Sequence, residues 1–197
     1  MLKPLTAAIV CSLLCLSPSF HAAHAFSFHA STGPAILTGD ISNLWNTGLS
    51  IRGYGYNRLN SNFLLGMGMN VNWHTMDEAA FFYGSVPAGW SASGDLFMLE
   101  AGPSLRYLPE SSALQSVHFY GEAGLSFYRM GWSTTLGGTH SGTSHGFIGS
   151  LSGDKNQLGL TIGGGMAWGR LQISPLVHFP FDDSLYFTLS GGIRFGR

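Results

Sequence analysis

Between residues 63 and 73 every second side chain is large and apolar: Phe63, Leu65, Met67, Met69, Val71 and Trp73 alternate with Leu64, Gly66, Gly68, Asn70 and Asn72. A period of two belongs to an extended strand with one greasy face and one small or polar face, and a helix does not produce it. The pattern recurs along the chain. Phe97, Leu99, Ala101, Pro103, Leu105 and Tyr107 oppose Met98, Glu100, Gly102, Ser104 and Arg106. Val117, Phe119, Gly121, Ala123, Leu125 and Phe127 oppose His118, Tyr120, Glu122, Gly124, Ser126 and Tyr128. Segments 158–168, 171–179 and 185–195 repeat the scheme, while 26–37 and 49–59 carry a weaker version in which Arg52, Tyr54, Tyr56 and Arg58 share one face.

Eight segments make an even number, as a closed antiparallel ring with both ends on one side requires. Their connections alternate in length: 38–48, 77–95 and 133–157 are long, whereas 60–62, 110–116 and 169–170 are short. Short turns on one side and long loops on the other are the habit of transmembrane barrels. The expected fold is all-β, an eight-stranded antiparallel up-and-down transmembrane β-barrel.

Alternation alone does not choose between water and lipid; the charges do. Arg52, Arg58, Glu100, Arg106, Glu122 and Arg194 all fall on the face that holds most of the glycines, serines and asparagines. The interior of eight strands is just wide enough for side chains to fill, so these six are expected inside as a paired network, since buried charges need partners. The Phe, Leu and Met rows then face outward, over an area beyond the few hundred Å² that soluble monomers tolerate. Only 10% of the chain is charged, against roughly 25% in ordinary soluble domains. Aromatic residues mark both ends of the segments: Phe63, Tyr107, Phe119, Trp168 and Phe195 near the short turns, Trp73, Phe97 and Phe127 near the long loops. Two such girdles belong at two membrane interfaces.

The first residues read as an export signal. Lys3 supplies a positive start, 5–16 is apolar almost throughout, and Ala23-His24-Ala25 offers a small-x-small cleavage site. The expected division is a signal peptide over 1–25 and one barrel domain over 26–197. Cys11 and Cys15 both lie in the leader, which leaves no thiol or disulfide chemistry for the remainder. A formal net charge of −1 without a basic cluster argues against nucleic-acid binding.

Signals for catalysis are weak. His140 and His145 stand among Ser141, Thr143 and Ser144 in the longest connection, with the ingredients of nucleophilic or metal chemistry but no diagnostic spacing. No catalytic residue, metal or cofactor is assigned. His29, His74, His118 and His178 have inward parity and are expected to be hydrogen-bonded fillers, and Arg106 is expected across from Tyr120 and diagonal to Glu122. Arg129, outward but past Phe127, is placed to meet headgroups. Pro103 and Pro175 each remove a ladder donor inside a segment, which local bulges would accommodate.

The stretch Thr38-Gly39-Asp40-Ile41-Ser42 leading to Asn46-Thr47-Gly48, followed by a Gly- and Tyr-rich strand, resembles the first hairpin of the small outer-membrane β-barrels of the OmpA and OmpX type. The closing segment, Leu185 to Phe195, resembles the aromatic-ended strand read by the outer-membrane assembly machinery. It departs in carrying Gly196 and Arg197 after the aromatic and Ser190 where glycine is common. The resemblance implies export to the outer membrane of a Gram-negative-type cell envelope. Its expected partners are outer-membrane lipid, lipopolysaccharide and the assembly machinery, with no nucleic acid and a monomeric state. The expected role is structural or surface-interacting through the long outer loops, and non-enzymatic. A lipid A acyl-modifying enzyme is the alternative, and a narrow solute channel comes third.

Overall fold

The computed structural model describes residues 26–109, 117–139, 146–180 and 185–196. The expected signal peptide, His140 and His145 lie outside the described residues. Eight strands follow in chain order: β1 (Phe26–Thr38), β2 (Gly48–Arg58), β3 (Phe63–Thr75), β4 (Trp90–Tyr107), β5 (Val117–Thr139), β6 (Gly146–Trp168), β7 (Leu171–Pro180) and β8 (Leu185–Gly196). Each pairs antiparallel with the next, and β1 pairs with β8, so the sheet closes into a barrel. A 3₁₀ turn (Asp40–Asn43) follows β1. A single helical turn, α1 (Glu78–Phe81), follows β3, capped by the Asp77 carboxylate, which accepts from the Ala80 N–H at 3.1 Å.

The faces sort as period two requires. Asn70, Asn72, Glu100, Arg106, Glu122 and Ser190 are buried inside. Leu65, Met69, Leu105, Leu125, Leu160, Ile162 and Leu189 stand exposed on the outside in a continuous apolar band. This is a barrel whose greasy surface faces out, which places it across a bilayer, where lipid is the solvent for that band.

The prolines are accommodated without bulges. On either side of Pro103 the β4–β5 register is unchanged, Ala101 facing Phe127 and Ser104 facing Gly124, and only the two pairs between are missing. Pro175 leaves the same two-pair gap in the β6–β7 ladder, and Pro34 leaves one in β1–β8. Loss of one N–H opens a ladder locally, but the flanking pairs hold the register. At the Pro34 gap the strands also pinch: a Cβ on Gly33 would stand 1.9 Å from the Leu189 carbonyl oxygen, so only glycine fits.

Two connections differ from their sequence reading. Residues 133–157, expected as a long loop, are mostly strand: the β5–β6 ladder runs from Val117 opposite Trp168 to Thr139 opposite Gly146. The 77–95 connection likewise gives way to β4 at Trp90. The cause is an inversion of polarity with no loss of alternation. On the outward face, Phe127 of β5 is followed by Arg129, Gly131, Ser133 and Thr135, and Phe97 of β4 gives way to Asp95, Ser93 and Ser91. Beyond Leu158, β6 presents Asn156, Asp154, Ser152 and Ser150. The inward face of the same extension carries Ala92, Leu96, Trp132 and Leu136. The bilayer ends at Phe97, Phe127 and Leu158, and above that line the sheet is an ordinary water-facing one with its apolar side turned in.

Candidate functional site

The interior holds two polar clusters. Toward the short-turn end, Glu122 on β5 is directly opposite Arg106 on β4, a register shifted from the diagonal placement expected from the sequence. The number of residues joining two strands does not by itself fix which residues pair, so the sequence could not reveal this register. One carboxylate oxygen accepts from the Arg52 guanidinium and from the Tyr56 hydroxyl, the latter at 2.8 Å. The other accepts twice from Arg106, at 2.8 and 3.2 Å. Arg106 is clasped between the rings of Tyr56 and Tyr120, 4.4 and 4.0 Å from their centroids, while Arg52 lies over Tyr54 at 4.1 Å. Arg106 also donates to His29 Nδ1 at 2.9 Å. Two desolvated cations thus share one carboxylate, and the tyrosine faces supply further negative potential.

A second cluster surrounds Glu100. Ser126 and Thr161 donate to one oxygen at 2.7 and 2.6 Å, and Tyr186 and Asn70 reach the other at 3.3 and 3.4 Å. His178 Nδ1 lies 2.9 Å from that second oxygen, and its Nε2 lies 3.0 Å from the Thr188 hydroxyl. Because a carboxylate only accepts, the ring donates to it from Nδ1, and Nε2 shares a hydrogen bond with the Thr188 hydroxyl. Hydroxyl, imidazole and carboxylate stand in the order used for acyl transfer. Access decides what the array can do. Thr188, His178 and Glu100 are 3%, 0% and 1% exposed, and the Tyr186 ring lies flat on the imidazole at 4.2 Å. Above them Leu37, Trp45, Leu96, Met98 and Met130 form an apolar stopper at the loop end. The array is shut off from solvent and ties β4, β7 and β8 together through hydrogen bonds.

Of the six charges assigned to the lumen, the structure gathers Arg52, Arg106 and Glu122 in one cluster and places Glu100 at the centre of the other. Arg58 and Arg194 stay at the rim. Arg58 is exposed and donates to the Ser61 carbonyl at 3.2 Å, and Arg194 donates to the Gly169 carbonyl at 3.1 Å. Alternation specifies the side of a strand but not the depth, and both residues sit at strand ends beside the short turns. His118 is exposed there for the same reason, unlike His29, His74 and His178, which are buried. The girdle residues Trp73, Phe97, Tyr107, Phe119, Phe127, Trp168 and Phe195 are exposed, and Phe63 is half-buried against Tyr107 at 5.2 Å. Trp73 donates its indole N–H to Asp95 at 2.9 Å, at the line where the outer face turns polar. What the sequence reading missed is the inward tyrosines as partners for the charges: Tyr54, Tyr56, Tyr120, Tyr128 and Tyr186 are all buried. Their shared parity with the charges was the available signal.

No protein-family profile matches the chain, and no curated protein matches it. Solved structures do. A major outer membrane protein from Thermus thermophilus superposes with a TM-score of 0.56 at 16% identity, over 87% of this chain and 100% of that one. This is the fold of the small outer-membrane β-barrels. Neisserial surface protein A superposes on the small barrel at 0.50 and 16% identity, over 86% and 95% of the two chains. Ail, the attachment invasion locus protein of Yersinia pestis, reaches 0.44 at 13% identity over 87% and 97%.

Proposed function

We propose that the protein is an outer-membrane barrel, exported through a cleaved signal at 1–25, that acts by offering a surface to other macromolecules and not by catalysis. The observation that carries this reading is the open edge of β6. Its outer part pairs with β5 on one side, but pairing with β7 begins only at Gly159 opposite Pro180. Among the described residues no strand pairs with the other side of 146–153. The unpaired edge runs on to Leu158 and carries Asp154 and Lys155 at its membrane end, whereas 146–153 contains no charge and no proline, the devices by which proteins usually blunt an exposed edge. An extended segment of a partner can add there as a further strand, taking affinity from backbone hydrogen bonds and specificity from alternate side chains. Leu151, 70% exposed, stands on the stretch as an apolar anchor.

N–H groups alternate in direction along a strand, so a proline at Leu151 or at Ser152 removes an outward donor in one case and a ladder donor in the other. Cells displaying the protein should adhere to immobilised surface proteins or to one another, and one of the two proline variants should lose adhesion with the barrel still folded. Equal adhesion in both variants would overturn the reading. Release of acyl chains from lipid A by the purified protein would favour the enzymatic alternative, for which the Thr188, His178 and Glu100 array is the structural argument.

A further inference from the structure

We infer that the lipid-facing wall over β1, β2 and β3 carries a seat for one acyl chain of a phospholipid from the leaflet on the short-turn side. The inference rests on the transmembrane placement. On β2 two successive outward positions, Gly53 and Gly55, have no side chain. Register sets Ala30 and Phe28 beside them on β1, and Met69 and Met67 beside them on β3. The Phe28 and Phe26 rings lean over Gly53 and Gly55, and a trough of about 730 Å³ runs between those rings and the two methionines. The trough opens toward the bilayer and its lining is mainly apolar. Methionine adapts to an irregular chain, and ring faces pack against methylenes.

The trough ends at Asn57, the next outward residue of β2, between Phe26 and Leu65 and one residue before the strand gives way to the short turn. Its side chain makes no hydrogen bond among the described residues, and a carboxamide on the lipid side costs free energy unless it finds a polar partner. The glycerol ester and phosphate oxygens of a phospholipid lie at that depth and accept from its NH₂ group. A second copy of the chain fits less well, because a two-fold contact would set two concave walls face to face and leave a void between them.

The full chain refolded in phosphatidylethanolamine vesicles, with a trace of the same lipid bearing a mid-chain diazirine, tests the seat. Photolabelling should be several-fold denser on Phe26, Phe28, Met67 and Met69 than on Leu160 and Ile162 of the far wall. A Cβ at Gly53 meets only the Phe28 ring, at 3.5 Å, so Gly53→Leu can fill the trough without touching backbone. That variant should level the labelling, and Asn57→Leu should lower the number of lipids retained per barrel in native mass spectrometry. Even labelling around the wild-type barrel, or a second copy cross-linked through this wall, overturns the seat. Failure of the membrane reading itself would show differently, as absence of lipid labelling from the whole outer band.

Discussion

Glu122 shows how a buried carboxylate can be worth more than either of its partners. It answers Arg52 and Arg106 together, with each arginine against at least one tyrosine ring. Arg106→Ala leaves Glu122 still paired with Arg52, whereas Glu122→Ala leaves two desolvated guanidiniums without a counter-charge. Glu122→Ala should therefore cost about 3–5 kcal/mol, the usual penalty for breaking a buried pair, and Arg106→Ala less. Urea unfolding in bilayers measures both, and a double variant less stable than Glu122→Ala would show that the repulsion between stranded cations does not matter. Thr188→Val removes the hydrogen-bond partner of His178 Nε2 and should cost about 1–3 kcal/mol. Lipid A acyl analysis of this variant beside the wild type separates a brace from a nucleophile, since only a nucleophile carries an activity to lose.

At the scale of the strand, one alternation serves two solvents. On the outward face of β5, Leu125 lies inside the apolar band and Thr135 lies above it, although both share one parity. Leu125→Arg should cost roughly 2–4 kcal/mol, as a cation held in the hydrocarbon of a barrel does. Thr135→Arg should change stability by about 0.5 kcal/mol or less, as an exposed surface substitution. Equal costs in an unfolding titration would refute the boundary drawn at Phe127. This inversion explains the misreading of 133–157 as a loop. Greasy residues facing out mark a strand only within the bilayer, and above it the greasy residues, Trp132 and Leu136, face in.

Taken whole, the barrel has no free edge within the membrane, because β1 meets β8. Closure makes unfolding in detergent an all-or-none event, so the protein should migrate differently on a gel before and after boiling. It should also fractionate with outer membranes, its chain starting at Phe26. Identical migration in both conditions would show that no closed barrel forms. The packed interior bears on the channel reading, since Tyr56, Tyr128, Tyr186 and His178 fill the lumen and a solute would have to displace them.

Local chemistry was enough to determine the membrane-spanning part of the strands, their parity and the face on which each charge falls, because a period of two is a property of the backbone and needs no partner to express it; the extensions of β4, β5 and β6 above the bilayer were not legible in the same way. It was enough as well to turn the barrel inside out, since Arg52, Glu100, Arg106 and Glu122 on one face and Leu, Met and Phe on the other admit only lipid outside. Tertiary structure alone decided depth and pairing. Arg58 and Arg194 share the parity of the lumen charges but end at the rim, Arg106 meets Glu122 directly because of the β4–β5 register, and Glu100 is served by hydroxyls and His178 from four other strands. The contacts of Glu100 with Thr161, His178 and Tyr186 join strands that are not neighbours in the sheet, and only its closure around the lumen brings them within hydrogen-bond reach.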